Sequence, residues 1–253
     1  MTLSLSATWM AIALGLSLLG LGGHAHAQPA PRFKAVAFDY FVIFDANSIV
    51  PEVEMAFPGK SAEFTRIWRA KQFEYCYLRT ITGRFADFSL VTEDALVYAA
   101  EAMHLELAAD TRQRLLNAYL NLKRGPTQPT ACASSGLPAC ASSTISVFSG
   151  AMLRANAEHA GIADLFDELL STEVNQTYKP DPLLGMERLH LKKDEIVFAA
   201  FGAWDAYGAK SFGYPTFWVN RFNVPAEELG LKADGTANNF QGLLDFVLGK
   251  SGG

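Results

Sequence analysis

Cysteine is scarce in this chain. There are three, Cys76, Cys132 and Cys140, with no CxxC motif and no Cys/His cluster, which argues against a structural zinc site. Cys132 and Cys140 bracket a short polar stretch and can pair if their geometry allows, while Cys76 sits among helical apolar residues and reads as a core filler. Positive charge is also in deficit. Twenty-one Lys and Arg face 26 Asp and Glu, for a net charge of −5 without a basic patch, which excludes nucleic acid as an expected partner. Membrane-length apolar runs are missing too. The apolar stretch 9–21 falls short of the about 20 residues a span needs. It leads into Gly22-Gly23 and Ala25-His26-Ala27, a small-residue cleavage pattern, so residues 1–27 are expected to be a signal peptide cut after Ala27. A periplasmic or secreted protein with no membrane association after cleavage follows from that reading. The n-region lacks Lys and Arg, which leaves an uncleaved anchor as the alternative.

What remains is ordinary for a globular enzyme: 50% apolar and 19% charged residues. The chain is organised around the run Phe33-Lys-Ala-Val-Ala-Phe-Asp39, a short buried-strand pattern closed by an aspartate. From Ser61 onward helical patterns dominate to about Leu122. Phe64, Ile67, Trp68, Tyr75 and Leu78 share one face, Thr92-Glu-Asp reads as a second helix start, and Asp110 as the cap of a third. Residues 49–123 are therefore expected to form an all-helical cap, inserted after a first core segment, 33–48. Residues 124–143 break the pattern: Leu137 is their sole large aliphatic. They read as a low-complexity linker, produced by a frameshift or an insertion, standing where a core helix and most of a second strand would be needed. Residues 144–248 then alternate strand and helix, with strands at 195–201 and 215–220 and helices at 151–160, 186–191 and 203–212. That alternation predicts an α/β fold, a doubly wound, Rossmann-like parallel sheet covered on both faces.

In such a sheet ligands bind beyond the carboxyl ends of the strands. Asp39, Ser146, Lys179 and Asp205 each fall at or just past a predicted strand end. Singly they have plainer readings: Asp39 as a strand-terminating polar residue, Lys179 as a solvated lysine before a Pro-Asp turn, Asp205 as a helix-start residue. Together they make a nucleophile with an adjacent cation and a second carboxylate for water. A nearby ammonium favours and aims an ionised carboxylate.

The strings Phe38-Asp39-Tyr-Phe41, Trp68-Arg69-Ala-Lys-Gln-Phe-Glu-Tyr75, Tyr178-Lys179-Pro-Asp181 and Trp204-Asp205-Ala-Tyr-Gly-Ala-Lys210 resemble, in order and spacing, the haloacid dehalogenase superfamily, and within it the (S)-2-haloacid dehalogenases. The resemblance covers most of residues 33–248. It implies hydrolysis of short (S)-2-haloalkanoic acids to (R)-2-hydroxy acids through an ester on the enzyme, without metal or cofactor. Matched residue by residue, Asp39 would be the nucleophile, Lys179 and Ser146 would hold carboxylates, Asp205 would activate water, Arg69 would receive the halide, and Phe41 and Trp204 would wall the pocket. A homodimer is common among such proteins. Phe41 bears directly on the chemistry. Phosphatases of the superfamily resemble one another in an Asp-x-Asp motif whose second Asp protonates the leaving alkoxide, help worth about 10²–10⁴-fold. Phe41 has no proton to give, and a departing halide needs none.

Several positions depart from the family pattern. Val42-Ile43 replace Gly-Thr in a loop one residue short, Val147 stands where Asn would follow the serine, and Ala200-Phe201-Gly202 replace Ser-Ser-Asn. About three residues, a tyrosine among them, are missing after Pro182. These losses motivate the alternative readings: a catalytically impaired relative that binds small carboxylates or, further off, a magnesium-dependent phosphatase.

Overall fold

The computed structural model describes residues 33–125, 141–179 and 183–250. Its framework starts where the hydrophobic run does. Strand β1 (Ala35–Phe38) is buried throughout and lies between two parallel neighbours, which a strand apolar on both faces requires. Side-chain alternation splits it: Val36 and Phe38 join the larger core, Ala35 and Ala37 the smaller core on the opposite face. Strands β4 (Ile196–Ala200) and β5 (Thr216–Val219) divide the same way. Val197, Ala199, Phe217 and Val219 face one core, and Ile196, Phe198, Ala200 and Trp218 the other. The described sheet has six parallel strands in the order β3-β2-β1-β4-β5-β6, where β3 is Glu168–Ser171 and β6 is Gly235–Ala237. The α/β doubly wound fold read from the sequence is the fold observed.

The strand paired with β1 on its other side corrects the linker reading. β2 (Ala141–Ser146) starts inside the interval expected to lack a strand, in parallel register Ala35 to Ala141 with β1 and Ser143 to Glu168 with β3. It has one large apolar residue, Ile145, packed in the smaller core. Paired on both sides, it is held by the backbone ladder, and its small Ala and Ser side chains leave little hydrophobic signal to read. Residues 126–140, with Cys132 and Cys140, lie outside the described residues, as do residues 1–32 with the expected signal peptide.

The described residues between β1 and β2 form five α-helices: α1 (Tyr40–Ile43), α2 (Val50–Ala56), α3 (Ser61–Ile81), α4 (Phe88–Ala102) and α5 (Ala109–Ala118). The described residues from 49 to 123 contain no strand. Two expected caps move. Asp87, not Thr92, opens α4, its carboxylate accepting from the amides of Ser89 and Leu90, and α5 starts at Ala109, with Asp110 inside the first turn. Thr92 is instead buried in the cap's polar seam. Its carbonyl accepts from Trp68 Nε1 at 2.8 Å and its hydroxyl from Gln72 Nε2 at 3.0 Å. Tyr119 OH completes the chain by donating to Gln72 Oε1 at 3.1 Å. Cys76 is the core filler expected: buried, unpaired, and with its thiol pushed up to about 12 by burial.

After β2, α6 (Gly150–His159) is capped by the Ser149 hydroxyl, α7 (Leu183–Leu189) and α8 (Ala203–Phe212) flank β4, and α9 (Phe240–Val247) closes the described chain. Asn156 of α6 ties core to cap. Its amide donates to Tyr119 O at 2.8 Å, while its carbonyl oxygen accepts from Leu122 N at 2.7 Å.

Candidate active site

Asp39 is the first residue past β1, at the carboxyl edge of the sheet. Its amide donates to Ala199 O of β4 at 2.9 Å, which continues the ladder. Its side chain caps α1, with Oδ1 accepting from Phe41 N at 2.8 Å. A strand end that turns at once into a helical turn thus leaves a buried carboxylate with one oxygen fixed by a backbone amide.

The other oxygen meets Lys179. Lys179 Nζ is 2.5 Å from Asp39 Oδ2 and 3.3 Å from Asp205 Oδ2. The lysine side chain is 4% exposed and that of Asp205 4%. Asp205 comes from the first turn of α8, the position Asp favours for dipole reasons, which is its plain reading, and from there its carboxylate reaches Lys179. Lys179 arrives from the segment after β3. The preceding Tyr178 is buried, its ring packs 5.3 Å from Phe85, and its hydroxyl donates to Ala86 O in the cap. The backbone that delivers Lys179 is therefore anchored at the core–cap seam.

These neighbours act on one another electrostatically. Burial alone would pull the Lys179 ammonium down, but Asp205 and Asp39 outweigh it and hold its pKa above the usual lysine value. Asp205 goes up, mainly because burial disfavours its charged form, with the nearby Asp39 carboxylate adding to the rise and Lys179 opposing it. Phe198 lies beneath the ammonium, its ring centroid 5.1 Å from Nζ.

Ser146 ends β2 on the same sheet edge, 2% exposed, its hydroxyl accepting from Phe148 N at 3.2 Å. Phe41 is buried edge-on to Phe148 at 5.4 Å and tilted against Phe201 at 6.0 Å. Above it hangs Arg69 of α3, with Cζ 4.8 Å from the Phe41 centroid and 5.9 Å from that of Phe73. Arg69 Nη1 is buried with no hydrogen-bond acceptor among the described residues. A cationic N–H held over an aromatic ring with an unmet donor is the natural seat of an anion. Trp204, second residue of α8, forms the rim: it is 41% exposed and edge-on to Phe73 at 5.0 Å.

The sequence-predicted residues fall into three groups. Asp39, Lys179 and Asp205 touch. Phe41 and Arg69 stack beside them, and Ser146 and Trp204 occupy the flank and the rim. Sequence reasoning missed Arg221. Its Nη1 donates to Phe41 O at 3.1 Å and its Nη2 to Val42 O, from just beyond β5. The carboxyl-end rule that flagged the others applied to Val219-Asn220-Arg221 equally well.

A buried, amide-held carboxylate, a bridging ammonium, a second carboxylate and a waiting cationic N–H suit displacement of an anion from carbon, followed by hydrolysis. Comparisons with known proteins agree. No protein-family model matches the chain. The (S)-2-haloacid dehalogenase of Pseudomonas sp. (strain YL) is 37% identical over 216 residues, covering 84% of this chain and 93% of that protein. The chain belongs to the (S)-2-haloacid dehalogenase family. Among solved structures of this dehalogenase family, an L-2-haloacid dehalogenase superposes with a TM-score of 0.82 at 30% identity, covering 85% of this chain and 98% of that one. A second, the L-2-haloacid dehalogenase from Xanthobacter autotrophicus with chloropropionic acid covalently bound, gives 0.80 at 29% identity over 87% of this chain and all of that one.

Proposed function

We propose that the protein hydrolyses short (S)-2-haloalkanoic acids to (R)-2-hydroxy acids through an ester on Asp39. The observation that carries this reading is the Lys179 ammonium seated between Asp39 and Asp205. In the first step an Asp39 carboxylate oxygen attacks the substrate Cα, the carbon–halogen bond breaks, and the halide leaves with its electron pair toward Arg69. In the second, water attacks Cγ of Asp39 and gives one proton to Asp205. The ester Cγ–O bond then breaks, the departing alkoxide takes the proton left on the added hydroxyl, and the 2-hydroxy acid leaves as the Asp39 carboxylate is regenerated and Asp205 loses its proton to solvent. One displacement at Cα inverts its configuration. Ser146, at the end of β2, and Lys179 hold the substrate carboxylate, while Phe41 and Trp204 keep the pocket apolar.

The reaction as drawn uses no metal, because the ammonium supplies the positive charge between the two carboxylates and a halide needs no acid to leave. We propose further that residues 1–27 direct export and are removed after Ala27, which N-terminal mass determination of secreted material checks. Homodimerisation is the expected assembly, with Tyr77, Leu78 and Ile81, exposed on α3, supplying apolar surface, and sedimentation velocity tests it. The decisive experiment is halide release from (S)-2-chloropropanoate by mature protein with magnesium chelated, beside an Asp39→Asn control. Release that vanishes in the control supports the reading; a folded wild-type protein releasing none refutes it.

A further inference from the structure

The nucleophile turn has an unusual support. Helix α1 is a single turn, and a turn so short leaves carbonyls at its C-terminal end without intrahelical partners. Tyr40 O is taken by Phe44 N at 2.9 Å and Ile43 O by Gly125 N at 2.9 Å. The two between, Phe41 O and Val42 O, both accept from the Arg221 guanidinium, a planar fork suited to two acceptors at once. Arg221 is partly buried, and its Cζ lies 5.8 Å from the Phe201 ring centroid. Phe201 in turn packs against Phe41, so one aromatic contact and two hydrogen bonds converge on the same turn. The cation also sits at the negative end of the turn's dipole. At the opposite end of the turn, Phe41 N holds Asp39 Oδ1.

We propose that Arg221 is a positioning residue that aims Asp39 by clamping the carbonyl end of α1. The inference rests on the proposed dehalogenation for its kinetic consequence only; the clamp itself is structural. It assigns a compensating role in a turn where Val42-Ile43 stand without a hydroxyl to brace the nucleophile. The Phe41 amide serves twice, orienting the attacking carboxylate and then receiving charge on Oδ1 when water adds to Cγ, so a loosened turn slows both steps. Misplacing a reacting group by about 1 Å costs on the order of 10²-fold.

The test is Arg221→Gln beside Arg221→Lys, read by kcat, KM, thermal stability and hydrogen exchange at the Phe41 amide. Arg221→Gln is expected to lower kcat by about 10- to 100-fold with KM little changed and Phe41 protection reduced. Arg221→Lys should recover part of both. An independent variant guards against simple misfolding. A Cβ on Gly125 would stand 2.6 Å from Arg221 Nη1, so Gly125→Ala must push the guanidinium aside while keeping every charged residue. It should lower kcat in the same direction. Unchanged kcat and unchanged Phe41 protection in Arg221→Gln would overturn the proposal, and so would a loss confined to KM, which would make Arg221 a substrate contact. An inactive wild type whose Phe41 protection still depends on Arg221 would refute the dehalogenase reading and leave the clamp standing.

Discussion

Replacing Lys179 by Met tests the charge balance of the site. The side chain lost is 4% exposed and contacts two carboxylates, Asp39 at 2.5 Å and Asp205 at 3.3 Å. Removing one partner from a buried ionic cluster costs about 3–5 kcal/mol, because the remaining charges are left uncompensated. For a domain of this size that corresponds to a Tm lower by about 6–20 °C. The sign of its pH dependence follows from the shifts. Asp205 is already raised by burial, and Lys179 is what opposes the rise, so the variant raises it further. A carboxyl whose folded value lies above its unfolded one stabilises the protein while protonated, and that contribution disappears as pH rises through the folded value. The penalty should therefore be largest near pH 8 and shrink toward pH 5, where Asp205 holds its proton and one carboxylate remains. Urea titrations of wild type and Lys179→Met at both pH values measure it. Lys179→Met/Asp205→Asn supplies the control and should recover much of the loss at pH 8. A penalty equal at both pH values and untouched by the second substitution would refute the electrostatic account.

Other consequences are narrower. Asp39→Asn should abolish halide release and lower the titration of the Asp205 carboxyl, followed by carbon NMR, since Asp39 is one of the groups raising it. Arg69→Leu should cut kcat/KM by about 10²-fold or more, yet leave stability unchanged or improved by about 1–3 kcal/mol, because it removes a buried N–H without an acceptor. Calorimetry beside kinetics decides whether that dissociation occurs. Trp68→Ala, which empties the centre of the cap and breaks the bond to Thr92 O, should cost about 3–5 kcal/mol by chemical denaturation.

How much of this was legible in the sequence depended on where each residue's partners lie. β1 and β4 announce themselves because both faces are buried, giving unbroken apolar runs, and Asp39 follows as the residue at such a strand's end. Lys179 and Asp205 were readable through motif spacing joined to that rule. β2 was not. A central strand written Ala-Ser-Ser-Thr-Ile-Ser takes its place from pairing on both sides, and hydropathy does not report pairing. β6 is three residues long at the sheet edge, with the same small-residue character. Thr92 misled because Thr-Glu-Asp is a cap pattern, while Thr92 carries the cap's internal hydrogen bonds instead. The two acceptors that tie Arg221 to the site are backbone carbonyls, Phe41 O standing 180 residues earlier, and a carbonyl has no signature in the sequence.

The same charge balance would order the two steps of the proposed reaction. In the resting site Lys179 is shared, and Asp205 is raised by burial and by the charge on Asp39. In the proposed reaction ester formation removes the charge of Asp39, while the bound substrate keeps its own carboxylate against Ser146 and Lys179. One cause of the rise is then gone, so Asp205 is more readily ionised at the moment water must be activated. On the proposed mechanism the esterified enzyme would prepare its own second step. Its pH dependence should show this. Single-turnover hydrolysis of the trapped Asp39 ester should gain activity at lower pH than the titration of Asp205 in the free enzyme, because the base that must be ionised is raised less once Asp39 is neutral. If the two limbs coincided, Asp39 and Asp205 would not be coupled, and the assignment of Asp205 as the base would lose its electrostatic support.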